Sequence, residues 1–238
     1  MRSVSDAQSD DMFYEQRLSL SGRLSLIART RIYQTFIKEM KPTEDTSILD
    51  IGASDVDVEE ANLLEKQYPY PQNITCGTIG SSKSIVARHP LVKIAQLSPN
   101  APLPFPDKAF DIAYSNAVLE HVGGPQQRKF LIQEAMRVAA AVFFVVPNRW
   151  FPVEHHPAIP FLHFMPSVFR AALSKTGLSY WTKVENLDFL SRRTLKNEWP
   201  EVTCTRFRRH GVRCFDGAGG GSWRDGSLRG SSSLRLCA

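Results

Sequence analysis

At 238 residues, with 42% hydrophobic and 22% charged residues, the chain has the composition of one sizeable globular domain, which excludes an intrinsically disordered protein. The formal net charge of +5 lies wholly in residues 206–238, which hold seven Arg, two Asp and no Lys, while positions 1–205 are balanced. A neutral body argues against a nucleic-acid-binding fold and leaves the basic tail as the only hint of such a partner.

The longest apolar run, Val138 to Val146, falls short of the roughly 20 residues that span a bilayer, so no membrane span is expected. Residues 1–11 are polar and acidic with no apolar stretch of the secretory kind, which reads as a cytoplasmic protein. Cys76, Cys204, Cys214 and Cys237 lack metal-ligand or disulfide-framework spacing, so reduced thiols and no metal site are expected.

In chain order, residues 1–22 lack periodicity and read as a flexible arm. Leu24, Ile27, Ile32, Phe36, Ile37 and Met40 then fall near helical spacing and end at Pro42, an amphipathic helix over a core. Ser47 to Gly52 is a buried-strand pattern closed by glycine. A helix is expected over Glu59 to Lys66, with further strands at Ile74–Ile79 and Leu91–Leu97. After the proline-rich stretch Ser98–Asp107 come a strand from Phe110 to Ser115, a helix from Pro125 to Arg137 and an apolar strand from Ala141 to Val146.

Five strands alternating with helices imply an α/β fold: a Rossmann-like, doubly wound, mainly parallel sheet with flanking helices. Beyond Pro147, proline, aromatic and histidine residues mark a cap or substrate segment over 147–190, followed by helices near Pro166–Thr176 and Ser191–Glu198. The domain is expected to cover 23–209. Residues 210–238 read as a disordered Gly/Ser/Arg-rich tail, with half of the chain's 14 glycines lying beyond Arg206.

In such a sheet ligands sit beyond the carboxyl ends of the strands, where strand order reverses, and glycine in the first turn permits close backbone approach. Gly52 occupies that position. Ile48-Leu49-Asp50-Ile51-Gly52, Leu103-Pro104-Phe105-Pro106-Asp107-Lys108-Ala109-Phe110-Asp111 and Ser115-Asn116-Ala117-Val118-Leu119-Glu120-His121-Val122, in this order and spacing, resemble motifs of class I S-adenosylmethionine-dependent methyltransferases, particularly the type 11 group. Val145–Glu154, His155-His156, Phe161-Leu162-His163 and Glu185-Asn186-Leu187 extend the likeness over roughly residues 40 to 209.

The resemblance implies S-adenosylmethionine as cofactor across the strand tips and a small-molecule methyl acceptor. Asp50 and Gly52 would line the methionine end, Ser81 the ribose, Gln96 and Ser98 the adenine side, and Asn116 and Leu119 the sulfonium side. From the residues alone, a helix cap is the lesser alternative for Asn116, while for Glu120 and His121 helix-end packing or solvent exposure reads as readily as contact with the cofactor.

Two departures from the family pattern stand out: Ala53-Ser54-Asp55-Val56-Asp57 replaces a glycine-rich turn, and Gly77-Thr78-Ile79-Gly80-Ser81-Ser82 holds no acidic residue to accept from the ribose hydroxyls.

An activated sulfonium needs mainly an acceptor aligned in line with its methyl group, plus a base where the acceptor is a hydroxyl or a protonated amine. Glu154, His155, His156 and His163, in the segment after the fifth strand, are the candidate catalytic residues. His155-His156 before Pro157 also fits a capped loop, and His163 among Phe161, Leu162 and Phe164 fits a core residue. Trp150, Phe151, Phe161, Phe164 and Met165 read as core, or as walls for a hydrophobic acceptor.

Val202 to Phe207 is expected to begin a C-terminal antiparallel hairpin that stays incomplete, because Gly211–Ala238 offers no alternating apolar run. That abrupt change of composition suggests a replaced or out-of-frame C-terminus, with an RNA-touching arm as the alternative. Two other readings of the whole chain remain: a cofactor-free member acting as a binding or partner protein, and a nicotinamide-dependent dehydrogenase, which lacks its Gly-x-Gly-x-x-Gly turn here.

Overall fold

A computed structural model describes residues 20–146, 164–183, 186–198, 203–205 and 233–237. Helix α1 (Leu20–Met40) leads into β1 (Ile48–Ile51), a short α2 (Leu63–Gln67), β2 (Ile74–Thr78), α3 (Lys83–Arg88) and β3 (Lys93–Gln96). Then follow β4 (Phe110–Asn116), α4 (Pro125–Val138), β5 (Ala139–Val145), α5 (Pro166–Leu173), a 3-10 turn (Ser179–Thr182), α6 (Arg192–Glu198), β6 (Thr203–Thr205) and β7 (Ser233–Cys237).

The sheet order is β3-β2-β1-β4-β5-β7-β6, and every pair of neighbours is parallel. Strand order reverses between β1 and β4, which puts the switch point at their carboxyl ends.

Both faces of the sheet are covered, so the central strands are buried on both sides and even their few polar residues, Asp50, Thr75, Thr78 and Ser115, lie inside. On one face Ile48, Ile74, Cys76, Ile112, Tyr114, Phe143 and Val145 pack under Phe36 and Met40 of α1, with Leu64 of α2 and Ile85 of α3. On the other, Leu49, Ile51, Ala113, Val142 and Phe144 meet Ile132, Ala135 and Val138 of α4 and Leu190 and Leu195 near α6. Phe36 closes the first face edge-on to both Tyr114 and Phe143, at centroid distances of 5.1 and 5.4 Å.

The Leu103–Asp111 motif turns out to be structural. Asp111 Oδ2 accepts from the backbone N–H and hydroxyl of Ser47, both at 2.8 Å, fixing the start of β1. Lys108 Nζ donates to Met136 O and Ala139 O at the end of α4. Arg137 clamps the proline-rich turn through Leu103 O and Phe105 O, with Glu134 and Asp107 as ion partners.

Several expectations are corrected. The helix expected over Glu59–Lys66 is reduced to Leu63–Gln67, because Asn62 is left-handed (φ 53°) and its side chain ties back to Ser54. A helix at Lys83–Arg88 was not foreseen. The tail does contribute a strand: Ser233–Cys237 lies parallel to β5 and β6, where an incomplete antiparallel hairpin and a strandless tail were expected. The five-residue alternation Ser233-Leu234-Arg235-Leu236-Cys237 pairs with β5 inside a segment whose overall composition reads as coil.

Candidate active site

The first side of the switch point is the loop from Gly52 to Asn62. Gly52 has φ +94°, and a Cβ there would collide with Val118 Cγ2, so glycine is required by both backbone and space. Its N–H donates to Gly77 O at 2.9 Å, locking the tips of β1 and β2 together.

The loop then crosses the outer end of β2. Asp55 Oδ1 accepts from the backbone N–H of Ser84 (2.7 Å) and Ile85 (3.1 Å), capping α3 from a distant part of the chain. Arg88 of α3 reaches back to Val56 O and Asp55 O and pairs with Asp57 at 3.3 Å.

Under this loop lies a buried acidic pair. Strand alternation turns Asp50 to the face of Ile48, where Glu65 of α2 and Cys76 of β2 also point. Cys76 Sγ donates to Glu65 Oε1 at 3.2 Å, and Glu65 Oε2 has no partner. Burial, then the Glu65 charge, then a hydrogen bond with Glu65 hold the Asp50 carboxyl well above the usual carboxylate range. Burial likewise pushes the Cys76 thiol far up, so it is no nucleophile.

The second side is the turn after β4. Asn116 ends that strand, and Ala117 (φ 60°) donates to Val145 O at 2.9 Å, turning the chain back toward Gly52. Residues 186–198 are fastened to this turn. Asp188 N–H donates to Glu120 O (2.9 Å), and His121 Nδ1 lies 2.6 Å from Asn186 O, an arrangement that makes Nδ1 the protonated nitrogen.

Arg128 completes the fastening at 1% exposure: it makes a bidentate pair with Glu198 (3.1 and 2.6 Å), a 2.8 Å bond to Asp188 Oδ2 and a bond to Gly123 O. These bonds outweigh the cost of burying the guanidinium, whose pKa is raised.

Of the residues expected to bind cofactor, Gly52, Ser81, Gln96, Ser98 and Asn116 reach the rim of the strand tips with exposed or half-exposed surfaces. Gln96 Nε2 donates to Thr78 O at 3.1 Å. Asp50 and Leu119 face the core, at 6% and 1% exposure. Asn116 caps no helix, since α4 begins at Pro125 with Gly124 as its N-cap. Glu154, His155, His156 and His163, like Trp150, Phe151 and Phe161, lie outside the described residues.

Reading the sequence missed Asp55, Glu65, Val118 and Arg128, whose partners sit up to 70 positions away. Among the described residues, no three His, Cys, Asp or Glu side chains are grouped to hold a metal ion. No described helix is long and apolar enough to cross a membrane.

Residues 50–141, which contain all of these strand tips, match the family model described as a methyltransferase domain, of type 11. No curated protein matches the chain. Among solved structures it is similar to an S-adenosylmethionine-dependent methyltransferase from Methanosarcina mazei (16% identity over 69% of this chain and 82% of the other, TM-score 0.46). A possible histamine N-methyltransferase from Thermotoga maritima aligns over 92% of both chains at 14% identity and TM-score 0.46. A putative zinc-dependent alcohol dehydrogenase from Rhodobacter sphaeroides aligns over 83% of this chain and 86% of the other at 13% and 0.48. At TM-scores below 0.5 these three likenesses decide neither activity nor substrate.

Proposed function

We propose that this chain, which carries a class I S-adenosylmethionine-dependent methyltransferase domain of the type 11 group, transfers a methyl group to a small-molecule acceptor held at the carboxyl tips of the strands. The observation that carries the reading is Gly52: a left-handed, exposed glycine at the end of β1, at the switch point of the sheet, within the matched family region. The family match does not favour the cofactor-free alternative.

The residues at the tips fit a nucleoside sulfonium. Gly52 and Gly80 offer exposed backbone, Ser81 and Ser82 offer hydroxyls, Gln96 an amide, and Thr78 a fully buried hydroxyl without a partner. When bound, S-adenosylmethionine supplies a methyl group already activated for displacement. Gly52 allows close approach of the β1 turn, while Ser81, Gln96 and Ser98 hold the nucleoside side.

Asn116 orients the end nearest the acceptor, and Asp50, buried beside Glu65, supports the β1 turn from below. Among Glu154, His155, His156 and His163, one accepts the acceptor's proton as the nucleophile attacks in line. The test is to offer the purified chain S-adenosylmethionine with panels of small hydroxyl and amine acceptors and to measure S-adenosylhomocysteine release. Release that requires an acceptor and is lost in His155→Ala/His156→Ala or His163→Ala supports the reading. Acceptor-independent or absent release across the panels argues against it.

A further inference from the structure

The strand β2 ends in Thr78-Ile79-Gly80-Ser81, so a ribose resting at the tips meets no carboxylate from β2 itself. The β1–α2 loop brings one there. Asp55 Oδ1 is fixed by two backbone N–H groups, those of Ser84 and Ile85, which places the carboxyl against the first turn of α3, a helix that starts two residues after Ser81.

The loop's shape is braced independently. Ser54 N–H donates to Asn62 Oδ1 (3.0 Å), Asn62 Nδ2 donates to Ser54 O (2.7 Å), and Val56 N–H donates to Ser54 Oγ (3.2 Å). From the far side, Arg88 Nη2 donates to Val56 O at 3.2 Å and to Asp55 O at 3.4 Å. Asp55 is half-buried, and its Oδ2 takes no partner among the described residues. Helix capping accounts for Oδ1; it leaves Oδ2, oriented and open, without a task.

Two neighbouring features point the same way. Thr78, at 1% exposure, keeps an unpartnered hydroxyl at the same tip. Gly80 is left-handed (φ +96°) with open space where a side chain would stand.

We infer that Asp55 accepts the ribose hydroxyls of the nucleoside cofactor through Oδ2, so that the carboxylate absent from β2 is delivered by the loop after β1. The inference rests on the methyltransferase reading above. A carboxylate accepts from a vicinal diol through charge-assisted bonds stronger than those of serine hydroxyls. Because Oδ1 already fixes the rotamer, little side-chain freedom is lost on binding.

The test is calorimetric titration of the full chain with S-adenosylhomocysteine and with its 2′-deoxy analogue, in the wild type, Asp55→Asn and Asp57→Asn. Asp55→Asn keeps an Oδ1 for Ser84 and Ile85, so its melting temperature should stay near the wild-type value. The expected result is that the wild type prefers the diol, that Asp55→Asn weakens S-adenosylhomocysteine by about tenfold or more, and that the preference for the diol collapses with it. Asp57→Asn, on the same loop, should change little.

Equal affinity of the wild type for both ligands, or a diol preference that survives in Asp55→Asn, overturns the assignment while leaving the methyltransferase reading intact. No binding of either ligand by folded wild type overturns both.

Discussion

The two sides of the switch point are built from different bonds. On the β4 side, Arg128 at 1% exposure gathers Glu198, Asp188 and Gly123 O, and with His121 it fastens residues 186–198 to the turn after β4. On the β1–β2 side, Asp55, Asn62, Ser54 and Arg88 make mostly backbone-directed hydrogen bonds in a partly exposed loop, and Gly52, Gly80 and Asp55 Oδ2 stay open. One side spends its polar groups on rigidity; the other holds them in place and leaves them available. Substitutions on the first side should therefore act on stability, and those on the second on affinity.

The largest effect is expected from Arg128→Ala, which removes a buried guanidinium and leaves two partly exposed carboxylates unpaired, and should cost about 3 kcal/mol in denaturant unfolding, the low end for a broken buried pair. A cost near that of a surface arginine would erase the contrast between the two sides. Gly52→Ala comes next: the left-handed backbone and the collision with Val118 should cost about 1–3 kcal/mol and also weaken nucleoside binding. Adding Val118→Ala relieves the collision and leaves the backbone strain, so only part of the stability should return.

The Asp50–Glu65 pair supplies a pH signature. Asp50 has its pKa raised in the folded state, so the native protein binds the proton more tightly than the unfolded chain does. The corresponding stability is full below the unfolded carboxylate pKa of about 4 and is lost as pH rises through the raised folded value. Urea midpoints should fall with pH in that window, with a slope of at most about 1.4 kcal/mol per pH unit for one proton. Asp50→Asn, which mimics the protonated form toward Glu65, should flatten this dependence; an unchanged slope would show that another group carries it.

The smallest effect belongs to Arg137→Ala. The Arg137 side chain keeps 31% exposure, so losing its pairs with Glu134 and Asp107 and its bonds to Leu103 O and Phe105 O should lower the melting temperature less than Arg128→Ala does.

Much of the frame was legible in the sequence for a physical reason. The strand β5 is an unbroken apolar run and β1, β2 and β4 are short, largely buried segments, and Gly52 and Asn116 mark the ends of β1 and β4. Helix α3 was not legible, because Ile85 is its single buried residue and its cap, Asp55, lies about 30 positions upstream. Asp55 itself stood in view as a replacement for glycine, and only the fold shows its carboxylate capping α3.

Asp50 was assigned by motif to the crevice, whereas strand alternation turns it toward Glu65. Arg128, in the first turn of an amphipathic helix, reads as a solvated charge until Asp188 and Glu198 are brought to it. Strand β7 was missed although Ser233-Leu234-Arg235-Leu236-Cys237 alternates polar and apolar residues, because so short a run is masked by the Gly/Ser/Arg-rich composition around it.

The central claim is that a nucleoside sulfonium cofactor binds at the carboxyl tips of β1, β2 and β4. Amide hydrogen exchange of the whole chain, with and without saturating S-adenosylhomocysteine, tests it most directly. Slower exchange at residues 52–58, 78–84 and 116–121 on addition of ligand is the predicted result; a folded chain whose exchange at all three segments is unchanged by ligand would contradict it.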